Sequence, residues 1–458
     1  MQSTVFAASR LDRLPLSRFH WRLLLLIGAG LFLDAFDVYV GGVVTGALLK
    51  QGWTTLELNA LFGTMTFAGL TVGALAAGIV GDRFGRRSSY QFNLALFGLA
   101  SFAAALAPSM PWLIAARFIM GIGLGAEIVI SYGMLSEFVP PRYRGRMLAV
   151  LALFANSAVF IASLVSLWVI PNLGWQAMFL IAGVGALIVW FMRKNMPESP
   201  RWLESCGRLE EAEAVLAAVE AEVAKSQPLP AYARELTPVA PPVSIGVLFT
   251  PQVLGRTIVA SLIMMTIGFS IYGFLNWLPS FFVKQGFDIV KSLTWTTVMS
   301  LGGPIGTVVG IMITDRVGRR PAIVGSCLAT AVFGLVYQQM TSPNLLMAVG
   351  FLLVSSIYVL VAIGQGAYVP ELFATSYRLR GTGFAGMAGR LTSAGCQFIV
   401  LWLFTTGGVG LVVGSVIGAQ LLLAVVVWVM HIETNGRRLE EVTRSDTTLQ
   451  TGTATTAR

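Results

Sequence analysis

The heptapeptide GDRFGRR at residues 81–87 returns in the second half of the chain as TDRVGRR at residues 314–320. Two further segments recur at almost the same spacing along the chain. SEFVPPRYRG, which contains Glu137, is matched by PELFATSYRLRG, which contains Glu371, and PESPRWLE is matched near the end of the chain by IETNGRRLEE. Three matches at nearly one spacing indicate an internal duplication, so the chain is predicted to consist of two homologous halves.

The composition indicates a membrane protein. Of the 458 residues, 55% are hydrophobic and only 12% are charged, which leaves too little polar surface to cover a water-soluble body of this length. Apolar runs recur along the chain, each long enough to cross a hydrocarbon core of about 30 Å as a helix of about 20 residues. A spanning segment must satisfy its own backbone hydrogen bonds, so these runs are predicted to be helices.

The predicted fold is an all-α membrane protein with twelve transmembrane helices in two six-helix bundles. The spans are expected near residues 20–46, 58–80, 88–107, 111–134, 146–170, 176–194, 254–283, 292–313, 321–340, 344–369, 383–405 and 409–431. Parallel repeats of this kind have their substrate site between the halves, near the membrane midplane. No convincing cleavage site follows the first span, which is therefore interpreted as a retained helix rather than a signal peptide.

Basic residues lie in alternate loops between the predicted spans. One set of loops contains Arg83, Arg86, Arg87, Arg142, Arg144, Arg146, Arg193, Lys194, Arg201, Arg208, Arg316, Arg319, Arg320, Arg378, Arg380, Arg437 and Arg438. The opposite set contains only Lys50, Lys284 and Lys291. This asymmetry follows the positive-inside rule with both termini in the cytoplasm, and it explains the net charge of +9 without a nucleic-acid partner.

A polar interval separates the two sets of six spans. The predicted organisation is an N-terminal bundle at 1–194, a cytoplasmic linker at 195–252, a C-terminal bundle at 253–441 and a disordered tail at 442–458. An amphipathic helix is predicted within the linker from the helical spacing of Leu209, Ala212, Leu216, Val219 and Val223.

Over residues 20–441 the chain resembles the major facilitator superfamily. The loop motif at 81–87, the segment PESPRWL after the sixth span and the run from Arg117 through Gly125 carry the resemblance. FSIYGFLNWLPSF at 269–281, together with LDAFD in the first span, most resembles the aromatic-acid and niacin (nicotinate) proton symporters of the metabolite:proton symporter branch. The resemblance implies secondary transport of a small solute.

The first span carries two acids, Asp34 and Asp37, which are three residues apart and therefore on one helical face. An ionisable residue inside a span is a functional candidate, because its burial must be offset by a partner or by protonation. Arg117 in the fourth span lies at a similar depth, so an ion pair between spans one and four is expected. Either acid is a candidate proton carrier, and Glu127 is a further one. The alternative is a permanent ion pair that only joins two helices.

Polar and aromatic residues inside other spans are predicted to line a substrate cavity, because polar groups that face lipid are unfavourable. These residues are Tyr39, Asn156, Tyr272, Asn276, Trp277, Tyr358, Gln365, Tyr368, Arg390, Ser393 and Gln397. Helical spacing assigns Tyr358, Gln365 and Tyr368 to one face of span ten.

Arg390 is the most informative member of this set, because a guanidinium can hold a carboxylate through two hydrogen bonds. The alternative is that Arg390 anchors the span at the cytoplasmic surface. For Asn156 and Tyr39 the alternative is ordinary hydrogen bonding between helices.

The repeated loop motif is predicted to act as a latch, because Asp82 near a helix end can pair with arginines in one conformation only. The predicted gating residues are Asp82, Arg83, Arg86, Arg87, Glu137, Arg144, Asp315, Arg316, Arg319, Arg320, Glu371 and Arg380. The alternative is that the arginines only anchor the topology.

The predicted function is proton-coupled uptake of a small organic anion across the inner membrane, with an aromatic monocarboxylate such as nicotinate as the best match. A sugar or organic-cation carrier is the alternative within transport, and a transporter-like sensor is the alternative outside it. The sequence contains no metal-ligand cluster, Walker A loop, HExxH motif or nucleophile elbow, so no enzyme activity, metal or cofactor is expected. The three cysteines form no disulfide framework, and a monomer is predicted.

Overall fold

The computed structural model describes residues 5–194, 196–231, 244–374 and 377–432, apart from the side chains at positions 78, 79, 82, 315 and 379. All regular secondary structure within these residues is helical. This agrees with the predicted all-α class.

The first half contains nine helices within its described residues. They are α1 (Ala7–Asp12), α2 (Arg18–Lys50), α3 (Leu56–Phe84), α4 (Arg86–Ala105), α5 (Met110–Phe138), α6 (Pro141–Leu173), α7 (Gln176–Arg193), α8 (Pro200–Ser205) and α9 (Leu209–Ala224). Helix α9 occupies the position of the amphipathic helix expected in the linker, and it buries Ala212, Leu216, Val219 and Val223.

The second half continues with α10 (Pro251–Gly268), α11 (Leu278–Lys284), α12 (Ile289–Ser300), α13 (Gly302–Val317), α14 (Arg319–Gln338), α15 (Pro343–Leu360), α16 (Val369–Glu371) and α17 (Arg378–Met430). Two π-helical segments interrupt the α-helical geometry, at Phe269–Phe274 and at Val361–Tyr368. A 3-10 turn, Leu275–Trp277, follows the first of them.

Ten helical segments within the described residues are long and apolar enough to cross a membrane. The difference from twelve has two sources. Helix α4 coincides with the third predicted span but is not among the ten, and its first turn is the polar segment RRSS. Helix α17 covers both of the last two predicted spans, and Gly408 (φ 65°, ψ −163°) interrupts it between them. Twelve spans and cytoplasmic termini therefore stay predictions.

The chain groups into two compact units. Unit 1 comprises residues 1–40, 65–158 and 172–239, and unit 2 comprises residues 41–64, 159–171 and 240–458. The boundaries of these units fall within α2, α3 and α6. The predicted domains instead follow the sequence duplication, and their boundaries stay a prediction. In unit 1 a hydrophobic core joins α1, α2, α5, α6 and α9 through the fully buried Leu11, Leu24, Phe138, Met147 and Leu216. In unit 2, α10 and α14 pack against α17, and α13 packs against α15.

Close helix crossings recur in both units. Helix α3 approaches α5 so closely that a Cβ atom on Gly73 would collide with the backbone oxygen of Ile122. In unit 2, α13 approaches α15 in the same way, and a Cβ atom on Gly306 would collide with the backbone oxygen of Ser355. Gly73 and Gly306 have the same separation along the chain as the two copies of the loop motif. The duplication therefore extends from the loop motif into the packing of the helices.

The short helix α1 is attached to α9 by charged side chains. Arg10 is largely buried and pairs with Glu213 at 2.5 Å and with Glu220 at 2.7 Å. Arg13 pairs with the same Glu220 at 2.6 Å. At the start of α1, the Glu204 carboxylate accepts the backbone N–H groups of residues 5, 6 and 7 at 2.9–3.0 Å. The segment before the first span is therefore fixed to the linker within unit 1.

Protonation of Glu220 is expected to loosen α1 from α9. Burial raises the pKa of Glu220, but the hydrogen bonds and charges of Arg10 and Arg13 outweigh burial and hold the pKa below its usual value of 4.5. A lowered folded-state pKa contributes stability that is present above the unfolded-state pKa and is lost as the pH falls through the folded-state value. Hydrogen exchange in residues 7–12, corrected for intrinsic rates, should therefore accelerate once the pH falls below 4.5.

The matched variant Glu220→Gln should show the faster exchange already at neutral pH, with a weaker dependence on acid. Equal protection of α1 in the wild type and in Glu220→Gln at neutral pH would contradict this role for Glu220.

Candidate functional site

A buried ion pair joins α2 and α5 in unit 1. Arg117 Nη1 donates a hydrogen bond to Asp37 Oδ2, and Arg117 Nη2 donates to the backbone oxygen of Asp37 at 3.3 Å. The two side chains are 1% and 0% exposed. Arg117 Nε also donates to Thr66 Oγ1 at 3.4 Å. The contact expected between the first and fourth spans is therefore present. It is possible because the helical rise places Asp37 and Arg117 at the same depth.

A second buried ion pair joins α5 and α7, and one of its members was not anticipated. Arg193 Nη1 lies 2.5 Å from Glu127 Oε1, and the guanidinium lies 4.5 Å from the centre of the Tyr90 ring. Arg193 also donates to the backbone oxygens of Leu26 and Ile27 at 2.8 Å each. The positive-inside pattern groups Arg193 with the loop arginines, but it is the last residue of α7 and fully buried, so it does not lie in a loop.

Asp34 lies next to this second pair. Gly30 is one helical turn before Asp34, and a Cβ atom on Gly30 would lie 2.5 Å from Glu127 Oε1 and 2.6 Å from Arg193 Cζ. The glycine therefore lets the charged pair approach α2. Asp34 itself is 2% exposed, and its Oδ2 atom is buried without a hydrogen-bond partner among the described residues.

In unit 2, polar side chains surround the interrupted helix that follows α10. Trp277 Nε1 donates to Gln397 Oε1 at 2.8 Å, and Gln397 Nε2 donates to the backbone oxygens of Ser393 at 2.9 Å and Tyr272 at 3.3 Å. The π-helical segment and the 3-10 turn depart from α-helical geometry here, which makes the Tyr272 carbonyl available to a side chain. Four of the predicted substrate residues are thereby brought together.

A small polar cavity in unit 2 adjoins this network. It has room for about one water molecule, and the free space around it, including open solvent, totals about 250 Å³. Its lining consists of Gly41, Thr45, Asn59, Phe62, Gly63, Asn276, Trp277, Ser280 and Gln397. The residues Thr45, Asn59 and Ser280 were not predicted from sequence, because a single hydroxyl or amide in a span is common in ordinary helix packing.

Arg390 lies on α17, three residues before Ser393, and is partly buried. No acid forms an ion pair with it among the residues that the structure describes. The half-buried Tyr272 interacts electrostatically with Arg390. Elsewhere in unit 2, the rings of Trp277, Phe281 and Phe404 stack in series, with centroid distances of 5.9 and 4.7 Å.

Three predicted substrate residues of span ten do not share one environment. Tyr358 and Tyr368 are buried, whereas Gln365 is exposed. The cause is the π-helical segment Val361–Tyr368, which adds a residue per turn and shifts the helical phase. The Tyr368 hydroxyl donates to the backbone oxygen of Ile432 at 2.6 Å. In unit 1, Tyr39 is buried and Asn156 is partly buried.

The predicted gating residues form equivalent contacts in the two units. Arg86 pairs with Glu137 at 3.2 Å in unit 1, and Arg319 pairs with Glu371 at 3.1 Å in unit 2. The next arginine of each motif donates to a backbone oxygen at 2.6 Å, Arg87 to Lys194 and Arg320 to Trp428. Arg144 donates to the Val139 backbone oxygen at 3.2 Å, whereas Arg83, Arg316 and Arg380 are exposed. The side chains of Asp82 and Asp315 lie outside the described part of the chain.

Glu198 in the segment PESPRWLE caps the N-terminus of α4. Its carboxylate accepts the backbone N–H groups of Arg86 at 2.9 Å, Arg87 at 3.1 Å and Ser199 at 2.9 Å. Helix α4 is preceded by Gly85 (φ 90°), where a Cβ atom would collide with this carboxylate. The loop motif and the segment after the sixth span are thus two parts of one structure.

Replacing Glu198 by glutamine is expected to destabilise the protein by about 1–2 kcal/mol, because a charged acceptor at a helix N-terminus is lost. The midpoint of thermal unfolding in detergent measures this effect. Glu210→Gln, on an exposed position of α9, is the matched control and should shift the midpoint less. An equal shift in both variants would count against the capping role.

Comparison with known proteins gives the family. The family model described as sugar (and other) transporter matches residues 33–445. The chain belongs to this family. It is 36% identical over 443 residues to the inner membrane metabolite transport protein YdjE of Escherichia coli, covering 95% of this chain and 97% of that protein. It is 31% identical to the niacin transporter NiaP of Acinetobacter baylyi, covering 95% and 99% of the two chains.

Solved structures give the same fold. The xylose transporter XylE of E. coli, in a partially occluded inward-open conformation, superposes with a TM-score of 0.72 and covers 92% of this chain and 100% of its own, at 19% identity. The resemblance to the major facilitator superfamily is confirmed. The protein is a multi-pass transporter of the inner membrane and not an enzyme.

Proposed function

We propose that this transporter takes up a small aromatic monocarboxylate, such as nicotinate, together with protons. Arg390 is the observation that carries the proposal. It is a partly buried guanidinium that no described acid neutralises, and a buried charge without a partner is unfavourable. A bound carboxylate supplies the missing negative charge through two charge-assisted hydrogen bonds.

The residues of the interrupted helix that follows α10 favour a flat ring. Trp277 offers an aromatic ring, and the half-buried Asn276 offers an amide group to a ring nitrogen or hydroxyl. We infer that Tyr272, Asn276, Trp277, Arg390 and Gln397 contact the substrate. Tyr368 is less suited, because its hydroxyl is already occupied by a backbone oxygen. The relative NiaP, whose name gives niacin as its substrate, supports this choice.

Proton coupling is proposed for the buried acids of unit 1. Asp34, Asp37 and Glu127 lie inside helices that cross the membrane, where an ionised carboxylate requires a counter-charge. Uptake of an anion together with one proton moves no net charge, so the membrane potential does not oppose it. The fold neighbour described as a proton:xylose symporter favours coupling of this kind.

The repeated ion pairs Arg86–Glu137 and Arg319–Glu371 are proposed to stabilise one conformation of the transport cycle. Because both pairs are partly exposed to solvent, each is weak enough to break during the cycle.

A sugar carrier is the second candidate. The family name and the xylose-transporting fold neighbour favour it, and the cavity residues Asn276 and Gln397 suit hydroxyl groups. Arg390 distinguishes the two functions, because a neutral sugar does not neutralise it.

Reconstitution in liposomes tests the proposal. Radiolabelled nicotinate should accumulate above its equilibrium level when the exterior is acidified, and a protonophore should abolish the accumulation. Benzoate should compete with nicotinate, whereas xylose and tetraalkylammonium ions should not. Competition by xylose with no effect of benzoate would replace the proposed function with sugar transport.

A further inference from the structure

The buried charges of unit 1 do not balance. Three acids, Asp34, Asp37 and Glu127, and two arginines, Arg117 and Arg193, are at most 2% exposed in its described membrane helices. Each arginine is already paired, Arg117 with Asp37 and Arg193 with Glu127. If all five groups were ionised, the buried set would carry one uncompensated negative charge, which is strongly unfavourable in a membrane.

Asp34 is the acid without a partner. It forms no ion pair with any described residue, and its Oδ2 atom is buried and accepts no hydrogen bond there. Asp37 and Glu127 also each have one buried carboxylate oxygen without a partner among the described residues. In both, however, the other carboxylate oxygen accepts a hydrogen bond from an arginine. Only Asp34 therefore has to balance its charge by other means.

Four helices contribute the groups that surround Asp34. Glu127 on α5 and Arg193 on α7 face α2 at Gly30, one helical turn before Asp34, Asp37 lies on the same helix, and Tyr90 on α4 lies under the Arg193 guanidinium. Two carboxylates thus share one guanidinium at this site. Two acids this close to one cation hold one proton between them, because like charges in a dry site cannot both be ionised.

We propose that Asp34 and Glu127 together hold one proton opposite Arg193, and that this proton is the one coupled to transport. The Asp37–Arg117 pair then stays ionised and holds α2 against α5. The coupling role rests on the proposed function, whereas the protonation of the site does not. Arg193 is a positioning residue, because its two hydrogen bonds to α2 carbonyls keep a single positive charge beside both acids.

The chemistry is one reversible proton transfer. A hydronium ion gives its proton to a carboxylate oxygen of Asp34 and becomes water, and on release a water molecule takes the proton back as hydronium. Only an O–H bond forms and breaks, and no electrons are exchanged with another molecule.

Counting charges makes a specific prediction for variants. Asp34→Asn leaves Glu127 ionised opposite Arg193, and Glu127→Gln leaves Asp34 ionised opposite Arg193. Either change gives a neutral site that needs no proton. Glu127→Asp keeps two acids and one arginine, so it should keep the proton. Asp37→Asn removes the acid that faces Arg117, and Arg193 still has two carboxylates beside it, so this variant should keep the proton if the balance is set locally at Arg193.

Infrared spectroscopy of the purified protein at neutral pH tests the protonation directly. The stretching band of a buried carboxylic acid should be present in the wild type, Glu127→Asp and Asp37→Asn, and absent from Asp34→Asn and Glu127→Gln. Thermal unfolding identifies variants that are folded, and the two substitutions test the site independently if one fails to fold. A band that persists in both Asp34→Asn and Glu127→Gln, or that only Asp37→Asn removes, overturns the inference.

Transport in liposomes tests the coupling. With a pH gradient imposed, Asp34→Asn should bring nicotinate only to equal concentrations on both sides. Accumulation by this variant to the wild-type level overturns the coupling role of the site. If the wild type itself does not accumulate nicotinate, the proposed function fails instead, and the infrared comparison still decides whether Asp34 and Glu127 share a proton.

Discussion

Replacement of Arg117 by methionine is expected to destabilise the protein by about 3–5 kcal/mol, the range for removal of one partner from a buried ion pair. The variant leaves Asp37, which is 0% exposed, without a cation, and the acid then has to take up a proton or remain unfavourably charged. It also removes the hydrogen bonds to the Asp37 carbonyl and to Thr66. Thermal unfolding in detergent should show a large fall in the midpoint.

Two further variants separate the loss of the pair from the loss of a long side chain. Arg142→Met changes an exposed arginine of the same unit, and it should alter stability by less than about 0.5 kcal/mol. The double variant Asp37→Asn/Arg117→Met leaves no isolated charge and should recover part of the loss. If Arg117→Met and Arg142→Met unfold at the same temperature, the Asp37–Arg117 pair contributes no stability.

The sequence allowed the Asp37–Arg117 contact to be predicted because only one-dimensional information was needed. Helical rise gives the depth of each residue in the membrane, and the cost of buried charge requires a partner at that depth. The same reasoning identified the duplicated motif, and the structure shows the duplication again in the contacts Arg86–Glu137 and Arg319–Glu371.

Arg193 could not be assigned in this way. At the end of an apolar run, an arginine has the same sequence pattern whether it anchors the span at the surface or turns inward to an acid. What distinguishes the two cases is the space beside α2, which depends on the absence of a side chain at Gly30. The sequence does contain a sign of this space, because Gly30 lies on the same helical face as Asp34. To predict that Arg193 occupies the space, one would also need to know which helices pack beside α2.

The substrate residues of span ten illustrate a different limit. Their assignment to one face assumed a constant 100° per residue, which holds only while the helix remains α-helical. The π-helical segment Val361–Tyr368 breaks that assumption, buries Tyr368 and exposes Gln365. The prediction that Trp277 and Gln397 lie close together is confirmed, because their side chains are hydrogen-bonded at 2.8 Å.

Replacement of Arg390 by methionine is expected to lower the affinity for nicotinate about 100-fold, because hydrogen bonds to a charged group contribute about 1.5–3 kcal/mol. Arg390→Lys retains the charge but loses the planar pair of donors, so its affinity should fall between those of the wild type and Arg390→Met. Arg208→Met, on an exposed residue of the linker, is the matched control and should bind as the wild type does. Equilibrium binding of radiolabelled nicotinate to the purified protein measures the three affinities.

Nicotinamide makes this test specific, because it has the pyridine ring of nicotinate and an uncharged amide in place of the carboxylate. The wild type should bind nicotinate much more tightly than nicotinamide, since only the carboxylate neutralises Arg390. In Arg390→Met that preference should disappear, because the remaining contacts from Trp277, Asn276 and Gln397 are to the ring. A variant that weakens both ligands by the same factor would mean that Arg390 maintains the fold of unit 2, and the carboxylate would then have to be bound by another cation.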